Sequence, residues 1–430
     1  MMKKAISLVA LTICAAQLCT AQSFKFNLSG DKSADGYVQV LQGTTYSEAA
    51  GYGYEEGRDG TSTPASFSVK IPEGSYKVTV TLGDPKGTSK TSIRAEQRRL
   101  VLEGFTTAKG EIVRKSFSVN VRSNTLSPGN TMKLDSREWD YSSGKPLAFN
   151  WDDKITLTFC DENPKVRTVE IEPMENPLTV YLIGDSTVTD QAGSYYGTWG
   201  QVLPLWFRLP VVVANHAESG QTLKAFRFQR RWDKVYENLN PGDYVLIQLG
   251  TNDSKAKGHD GMWPKDDMAG EWEFTHSDAE TDYVWQLATY AVEIKRKGAI
   301  PVIVSPMTKV NLSTCEPDAD GLIDSYAEGA KKAAELVGCT YIDLFSMSKD
   351  IVKALGPDTA KAYQDGTHSG NFGGYLFSRC IAKGIKESGL GLADHLIDGA
   401  ADFNPAVPLP LLKDFNTAAD NSLPRPRPAR

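Results

Sequence analysis

The sequence contains no HExxH pair, no paired CxxC and only five histidines in 430 residues, so a site built on clustered metal ligands is not expected. Long basic runs are missing too. Lys and Arg number 47 against 53 Asp and Glu, a formal net charge of −6, and the footprint of a general nucleic-acid binder is therefore excluded. No internal stretch approaches the ~20 consecutive apolar residues that a membrane-spanning helix requires, and no repeat of the length used by solenoids or propellers is visible. With 40% hydrophobic residues, 37 Gly and 22 Pro, the composition is neither collagenous, nor coiled-coil, nor wholly disordered. Cysteine is sparse, at six.

What is there begins with MMKKAISLVALTICAAQLCTAQ: Lys3 and Lys4, an apolar run from Ala5 to Ala16, then small residues around Ala21. That order is a secretory signal peptide over residues 1–21, and the mature chain is expected to be exported to the periplasm or outside the cell. Ile13 and Leu18 stand where a lipoprotein would need a small residue before its cysteine, so a soluble protein is expected. Beyond the leader, Cys160, Cys315, Cys339 and Cys380 form an even set that an oxidising compartment permits to pair. A helix expected from about Gly321 to Val337 lies between Cys315 and Cys339 and argues against a bridge there.

The chain after the leader is too long for one ordinary core, which implies two folded domains. Residues 22–175 read as short runs of alternating character cut by turns: FKFNL, YVQVLQG, SFSVKI, YKVTVTL, RRLVLEG, KSFSVNV, ITLTF and RTVEIEPM. In Phe67–Leu82, Pro72-Glu73-Gly74 makes the turn, Tyr76, Val78, Val80 and Leu82 share one face, and Lys77, Thr79 and Thr81 share the other. The pattern predicts an antiparallel β-sandwich or jelly roll and resembles the galactose-binding-like accessory modules found beside carbohydrate-active enzymes.

Pro173 and Pro177 interrupt that pattern, and from residue 178 to about 400 strand and helix alternate. LTVYLIG (178–184), VVVAN (211–215), YVLIQLG (244–250), IPVIVSP (300–306) and TYIDLF (340–345) read as doubly covered strands. Helices are predicted near Thr198–Phe207, Thr222–Leu239, Asp278–Lys297, Gly321–Val337 and Phe372–Ser388, the third opening on the capping-box spacing Ser277-Asp278-Ala279-Glu280. The result is a flavodoxin-like three-layer α/β/α sandwich. Residues 401–430, ending in LPRPRPAR, form a Pro-rich tail.

In such a sheet the reacting groups belong on loops beyond the C-terminal strand ends. Those loops carry Gly184-Asp185-Ser186-Thr187, Asn215-His216-Ala217-Glu218-Ser219-Gly220, Gly250-Thr251-Asn252-Asp253 and Asp365-Gly366-Thr367-His368. A serine attacks an acyl carbon when a base takes its proton, a third group fixes that base, and donors meet the developing oxyanion. Ser186 is the candidate nucleophile, His368 the general base and Asp365 its orienting carboxylate. The Ser186 and Gly220 N–H groups and the Asn252 amide form a candidate oxyanion hole. Asp185, Gly250 and Asp253 are better read as turn-shaping residues, and His216, His259, His276 and His395 as surface or network histidines.

All four blocks, in this order, resemble those of the SGNH, or GDSL-type, hydrolases, over residues 178–390. The longer wordings YLIGDSTVTD, NHAESGQTLKAF, LIQLGTND and YQDGTHSGNFGG are most similar to the rhamnogalacturonan acetylesterase branch. That branch often has His before the Asn-Asp pair, where this chain has Thr251. The resemblance implies a cofactor-free serine esterase that removes acetyl groups from a plant polysaccharide or oligosaccharide through an acetyl-Ser186 intermediate. Two alternatives stand beside it: an esterase acting on acetylated xylan or small esters, and a carbohydrate-binding protein whose sandwich is the working part. Lys224 and Arg227 are candidates for holding a uronate carboxylate. Trp263 and Trp272, in the long connection 254–277, are candidates for stacking on sugar rings.

Overall fold

In this computed structural model the described residues are 23–31, 35–41, 43–55, 66–135, 138–140, 142, 145–146, 149–193, 195–255, 276–318 and 321–416. The expected signal peptide and the last residues of the Pro-rich tail lie outside them, as do His259, Trp263 and Trp272.

The front half forms Phe24–Asn27 (β1), Val38–Gln39 (β2), Tyr52–Tyr54 (β3), Ser66–Lys70 (β4), Gly74–Leu82 (β5), Ser89–Ala95 (β6), Arg99–Thr107 (β7) and Val113–Val121 (β8). Two short ribbons follow, Thr125–Leu126 (β9) with Asn130–Thr131 (β10) and Trp139–Asp140 (β11) with Lys145–Pro146 (β12), then Lys154–Asn163 (β13) and Val166–Pro173 (β14). These strands make two five-stranded sheets, ordered β2-β1-β14-β5-β8 and β3-β4-β13-β6-β7. Pairing within them is antiparallel except between β1 and β2, which run parallel. Period-two alternation drives the packing. Tyr76, Val78, Val80 and Leu82 of one sheet share a core with Phe67, Val69, Ile93, Ile155 and Leu157 of the other.

Two strands carry little sequence signal. In β6 the polar residues Thr91, Ser92 and Arg94 are all buried. Their polar groups are answered inside the fold: the Ser92 hydroxyl bonds Asp161, and Arg94 Nη1 donates to the Arg98 carbonyl at 2.6 Å. Tyr52–Tyr54 pairs with β4 without an apolar alternation of its own. Conversely, the long run YVQVLQG yields only the two residues of β2.

Between Pro173 and Leu178 the chain passes into a parallel sheet made of Leu178–Gly184 (β15), Val211–Asn215 (β16), Tyr244–Gln248 (β17), Ile300–Val304 (β18) and Thr340–Ile342 (β21). A small ribbon, Val310–Asn311 (β19) with Glu316–Pro317 (β20), sits between the last two in sequence. The sheet order is β16-β15-β17-β18-β21, all neighbours parallel. Because alternate residues point to opposite faces, Val180, Leu182, Leu246 and Val304 join one core while Tyr181, Ile183, Val245 and Ile303 join another. Helices cover both, which gives the mixed α/β organisation expected of this half.

Helix boundaries differ from expectation where local chemistry intervenes. The predicted capping box does not start a helix: Asp278 Oδ1 instead accepts from the Glu280 and Thr281 amides and the Thr281 hydroxyl, and the helix runs Asp282–Arg296. The stretch Thr222–Leu239 divides into Leu223–Phe228 and Arg231–Asn238, with Arg230 left-handed between them at φ 60°. That break places Arg231, fully buried, against Glu138 of the front half. Pro204 turns the end of Thr198–Phe207 into a 3₁₀ turn. A helix at Leu344–Leu355, capped by the Asp343 side chain, has no counterpart in the sequence reading. All four described cysteines are free thiols.

Candidate active site

Ser186 sits just past β15, and the Gly184 that ends this strand is required there by close approach. A Cβ on it would come within 2.5 Å of the Val188 side chain. The turn that follows is fastened by Asp185, whose Oδ1 accepts from the Thr187 amide (2.9 Å) and hydroxyl (2.8 Å). Gln248 on β17 donates to the same hydroxyl at 2.6 Å, and Trp199 donates to Gln248 in turn. Asp185 is wholly buried, and burial raises its carboxyl above the usual value against the lowering effect of the Thr187 bonds. It shapes the turn, as the sequence suggests.

The sheet edge brings the distant blocks together. Ser186 Oγ lies 2.9 Å from His368 Nε2, across 182 residues of chain. His368 Nδ1 lies 2.8 Å from Asp365 Oδ2 and 3.1 Å from Oδ1. Asp365 is itself fixed by the loop that carries it, since its Oδ1 accepts from the Thr367 amide (2.8 Å) and the His368 amide (2.7 Å). Burial pushes the Asp365 carboxyl up, but these amide bonds and the imidazole outweigh it, and the group sits below the ordinary carboxylate value. An ionised carboxylate beside Nδ1 keeps the proton on that nitrogen and leaves Nε2 free to accept from Ser186.

Two of the expected oxyanion donors, Gly220 and Asn252, are linked to each other through the turn 220–222. Gly220 has φ 81°, a left-handed backbone that an L side chain rarely adopts, in the turn before the helix capped by Thr222. Asn252 Nδ2 donates to the Gln221 carbonyl at 3.1 Å, which fastens its amide beside that turn. Asp253 Oδ1 caps Leu223 at 3.0 Å. Its carboxyl is wholly buried and is pushed up to about 7, first by burial and further by the Asp185 carboxylate. Asp253 thus fastens the start of the helix that follows Gly220.

Other candidates lie elsewhere. Lys224 Nζ donates to the His276 carbonyl at 2.6 Å and pairs with Asp282 at 3.3 Å. Arg227 pairs with Glu293 at 3.0 Å and lies over the Tyr290 ring at 4.0 Å. Both candidate cations pair with groups of the fold in this structure. His216 is no surface residue: it is buried between Trp151 and Tyr181, and burial holds its imidazole well below the usual range, hence neutral. Among the described residues no group of three or more His, Cys, Asp or Glu could hold a metal ion, and no helix is long and apolar enough to cross a membrane.

Sequence reasoning missed the residues around the loop 187–197. Gln191 Nε2 donates to the Ser186 carbonyl at 2.8 Å. The Tyr196 hydroxyl donates to Asp365 Oδ2 at 3.2 Å, and its ring lies 5.0 Å from the His368 imidazole. From the front half, Arg98 donates to the carbonyls of Gln191 (3.1 Å), Gly193 and Tyr196 (2.8 Å), while Arg99 pairs with Asp190 at 2.7 Å. Their only sequence signal is the dipeptide Arg98-Arg99 in a strand-rich stretch, which gives no hint of a partner so far along the chain.

Residues 182–373 match the GDSL-like lipase/acylhydrolase family. Rhamnogalacturonan acetylesterase RhgT of Bacillus subtilis (strain 168) is 29% identical over 246 residues, covering 52% of this chain and 96% of its own length. The uncharacterized esterase YxiM of the same organism is 24% identical over 395 residues, 85% of this chain and 91% of its own. A rhamnogalacturonan acetylesterase of Emericella nidulans is 27% identical over 231 residues, 51% of this chain and 89% of its own. With the serine, histidine and four motif blocks on one sheet edge, this chain carries a GDSL-like lipase/acylhydrolase domain and is a hydrolase acting on ester bonds.

Proposed function

We propose that this protein is a serine carbohydrate esterase that removes O-acetyl groups from a pectic polysaccharide of the rhamnogalacturonan type. The observation that carries the reading is the hydrogen-bonded chain Ser186–His368–Asp365, in a domain whose relatives include rhamnogalacturonan acetylesterases. That geometry supports the following catalytic roles. His368 Nε2 takes the Ser186 proton as Oγ attacks the acetyl carbonyl carbon, and the C=O electrons move onto oxygen. The Ser186 and Gly220 N–H groups and the Asn252 amide meet that oxyanion, each donor contributing on the order of 2.7–4 kcal/mol. Collapse breaks the bond to the sugar oxygen, which receives the proton from His368 and leaves as an alcohol. Water then attacks acetyl-Ser186 with His368 again as base, releasing acetate and restoring the serine. No cofactor enters the sequence.

On this reading residues 22–175 are an accessory β-sandwich of galactose-binding-like type, residues 178–400 the hydrolase domain, and the protein acts in the periplasm or outside the cell. The signal-peptide pattern of the first residues, the two facing sheets and the length of the YxiM likeness support it. The test is acetate release from acetylated rhamnogalacturonan, acetylated xylan and p-nitrophenyl acetate. Fastest release per enzyme from the pectic substrate is expected. Faster release from xylan, or release from the aryl ester alone, would move the substrate elsewhere, and binding of rhamnogalacturonan without any release would favour a binding protein.

A further inference from the structure

An exposed aromatic ring is ordinary on a protein surface, because much of any surface is apolar. Tyr195 departs from that norm in how it is held. It is 58% exposed, yet its hydroxyl donates to the Gln364 carbonyl at 3.3 Å, on the loop that carries Asp365 and His368. Its ring meets Tyr196 edge-on, with centroids 4.8 Å apart and an interplanar angle of 72°. Tyr196 in turn lies 5.0 Å from His368 and bonds Asp365. The backbone beneath is fastened from several sides. Arg98 takes the carbonyls of Gln191, Gly193 and Tyr196, Gln97 donates to Ala192 at 3.2 Å, and Ser369 donates to Gly197 at 2.6 Å. Arg98 is itself buried and also bonds Asn371 at 2.6 Å.

We propose that Tyr195 is a platform for a sugar ring of the ester substrate, one residue removed from the group that braces the catalytic dyad; this rests on the carbohydrate reading above. A ring tied at its hydroxyl and braced on one edge loses little rotamer freedom when a ligand settles on its open face, so stacking is not offset by ordering. A sugar presents C–H groups on one side of its ring, and those suit the electron-rich face of a phenol. The position also fits the chemistry, since an acetylated hydroxyl delivered to Ser186 Oγ leaves its pyranose ring beside His368. Arg98 is then a positioning residue, by which the front half sets the platform at the catalytic edge.

The test compares wild type with Tyr195→Ala and Tyr195→Phe on an acetylated rhamnogalacturonan oligosaccharide and on p-nitrophenyl acetate, which has no sugar ring. Tyr195→Ala is expected to raise KM for the oligosaccharide about three- to tenfold, with a clearly smaller change in kcat/KM on the aryl ester. Tyr195→Phe, which keeps the ring, is expected to restore most of the lost affinity. An unchanged oligosaccharide KM in Tyr195→Ala overturns the platform, and so does an equal loss on both substrates. If the wild type releases acetate from no glycan, the carbohydrate reading falls together with the platform; Ser186-dependent glycan deacetylation with an unaltered KM removes the platform alone.

Discussion

Asn252 and Asp253 are neighbours with opposite assignments, and they can be separated by experiment. Asn252→Ala removes one proposed oxyanion donor, and kcat is expected to fall about 10²–10³-fold with KM little changed. Steady-state kinetics on p-nitrophenyl acetate checks it. Asp253 belongs to the scaffold, and its signature is pH-dependent stability. Its folded value near 7 lies above the ordinary 3.8, so its contribution is fully present below the unfolded value and is lost as pH rises through about 7. The stability of Asp253→Asn relative to wild type is therefore expected to rise between pH 4 and pH 7.5 in urea unfolding, whereas a constant difference would contradict the assignment. Asp365 behaves oppositely. Its carboxyl is held below 3.8, so its support of His368 persists above the usual carboxylate range and fails only as pH falls through the depressed value.

At the scale of elements, the turn from β6 to β7 is where the front half grips the Ser186 loop. Arg99 and Arg122 converge on Asp190 at 2.7 and 3.4 Å, all three buried, and Asn215 supplies a third donor to Asp190 at 2.8 Å. Asp190→Ala leaves two buried guanidinium groups without their carboxylate, and a loss of roughly 3–5 kcal/mol is expected from chemical denaturation. The parallel strands and the four motif blocks were legible because burial on both faces and loop chemistry leave marks in local sequence: Leu178–Gly184 and Val211–Asn215 coincide with the apolar runs LTVYLIG and VVVAN. β6 left no such mark, since its Ser92 and Arg94 are satisfied by Asp161 and Arg98 rather than by an apolar neighbour. The same holds for Tyr196 and Arg98, whose meaning lies in partners far along the chain. Local capping rules failed at Ser277 because an Asp turn closed first.

On the scale of the whole molecule, the two halves share packing and charge. Leu100 of β7 belongs to the same buried cluster as Trp199 and Val202, Ser118 of β8 donates to the Val211 carbonyl at 2.7 Å, and Arg231 is sealed against Glu138. Such an interface couples their stabilities. Unfolding followed by tryptophan fluorescence and by far-ultraviolet circular dichroism is expected to give coincident transitions, and two separated midpoints would contradict it.

The assignment of Ser186 as nucleophile is tested by acetate release from p-nitrophenyl acetate by wild type and by Ser186→Ala, with both shown folded by circular dichroism. A fall of at least about a thousandfold, to the uncatalysed background, is the expected result. A folded Ser186→Ala protein that still releases acetate at a rate near that of the wild type would contradict it.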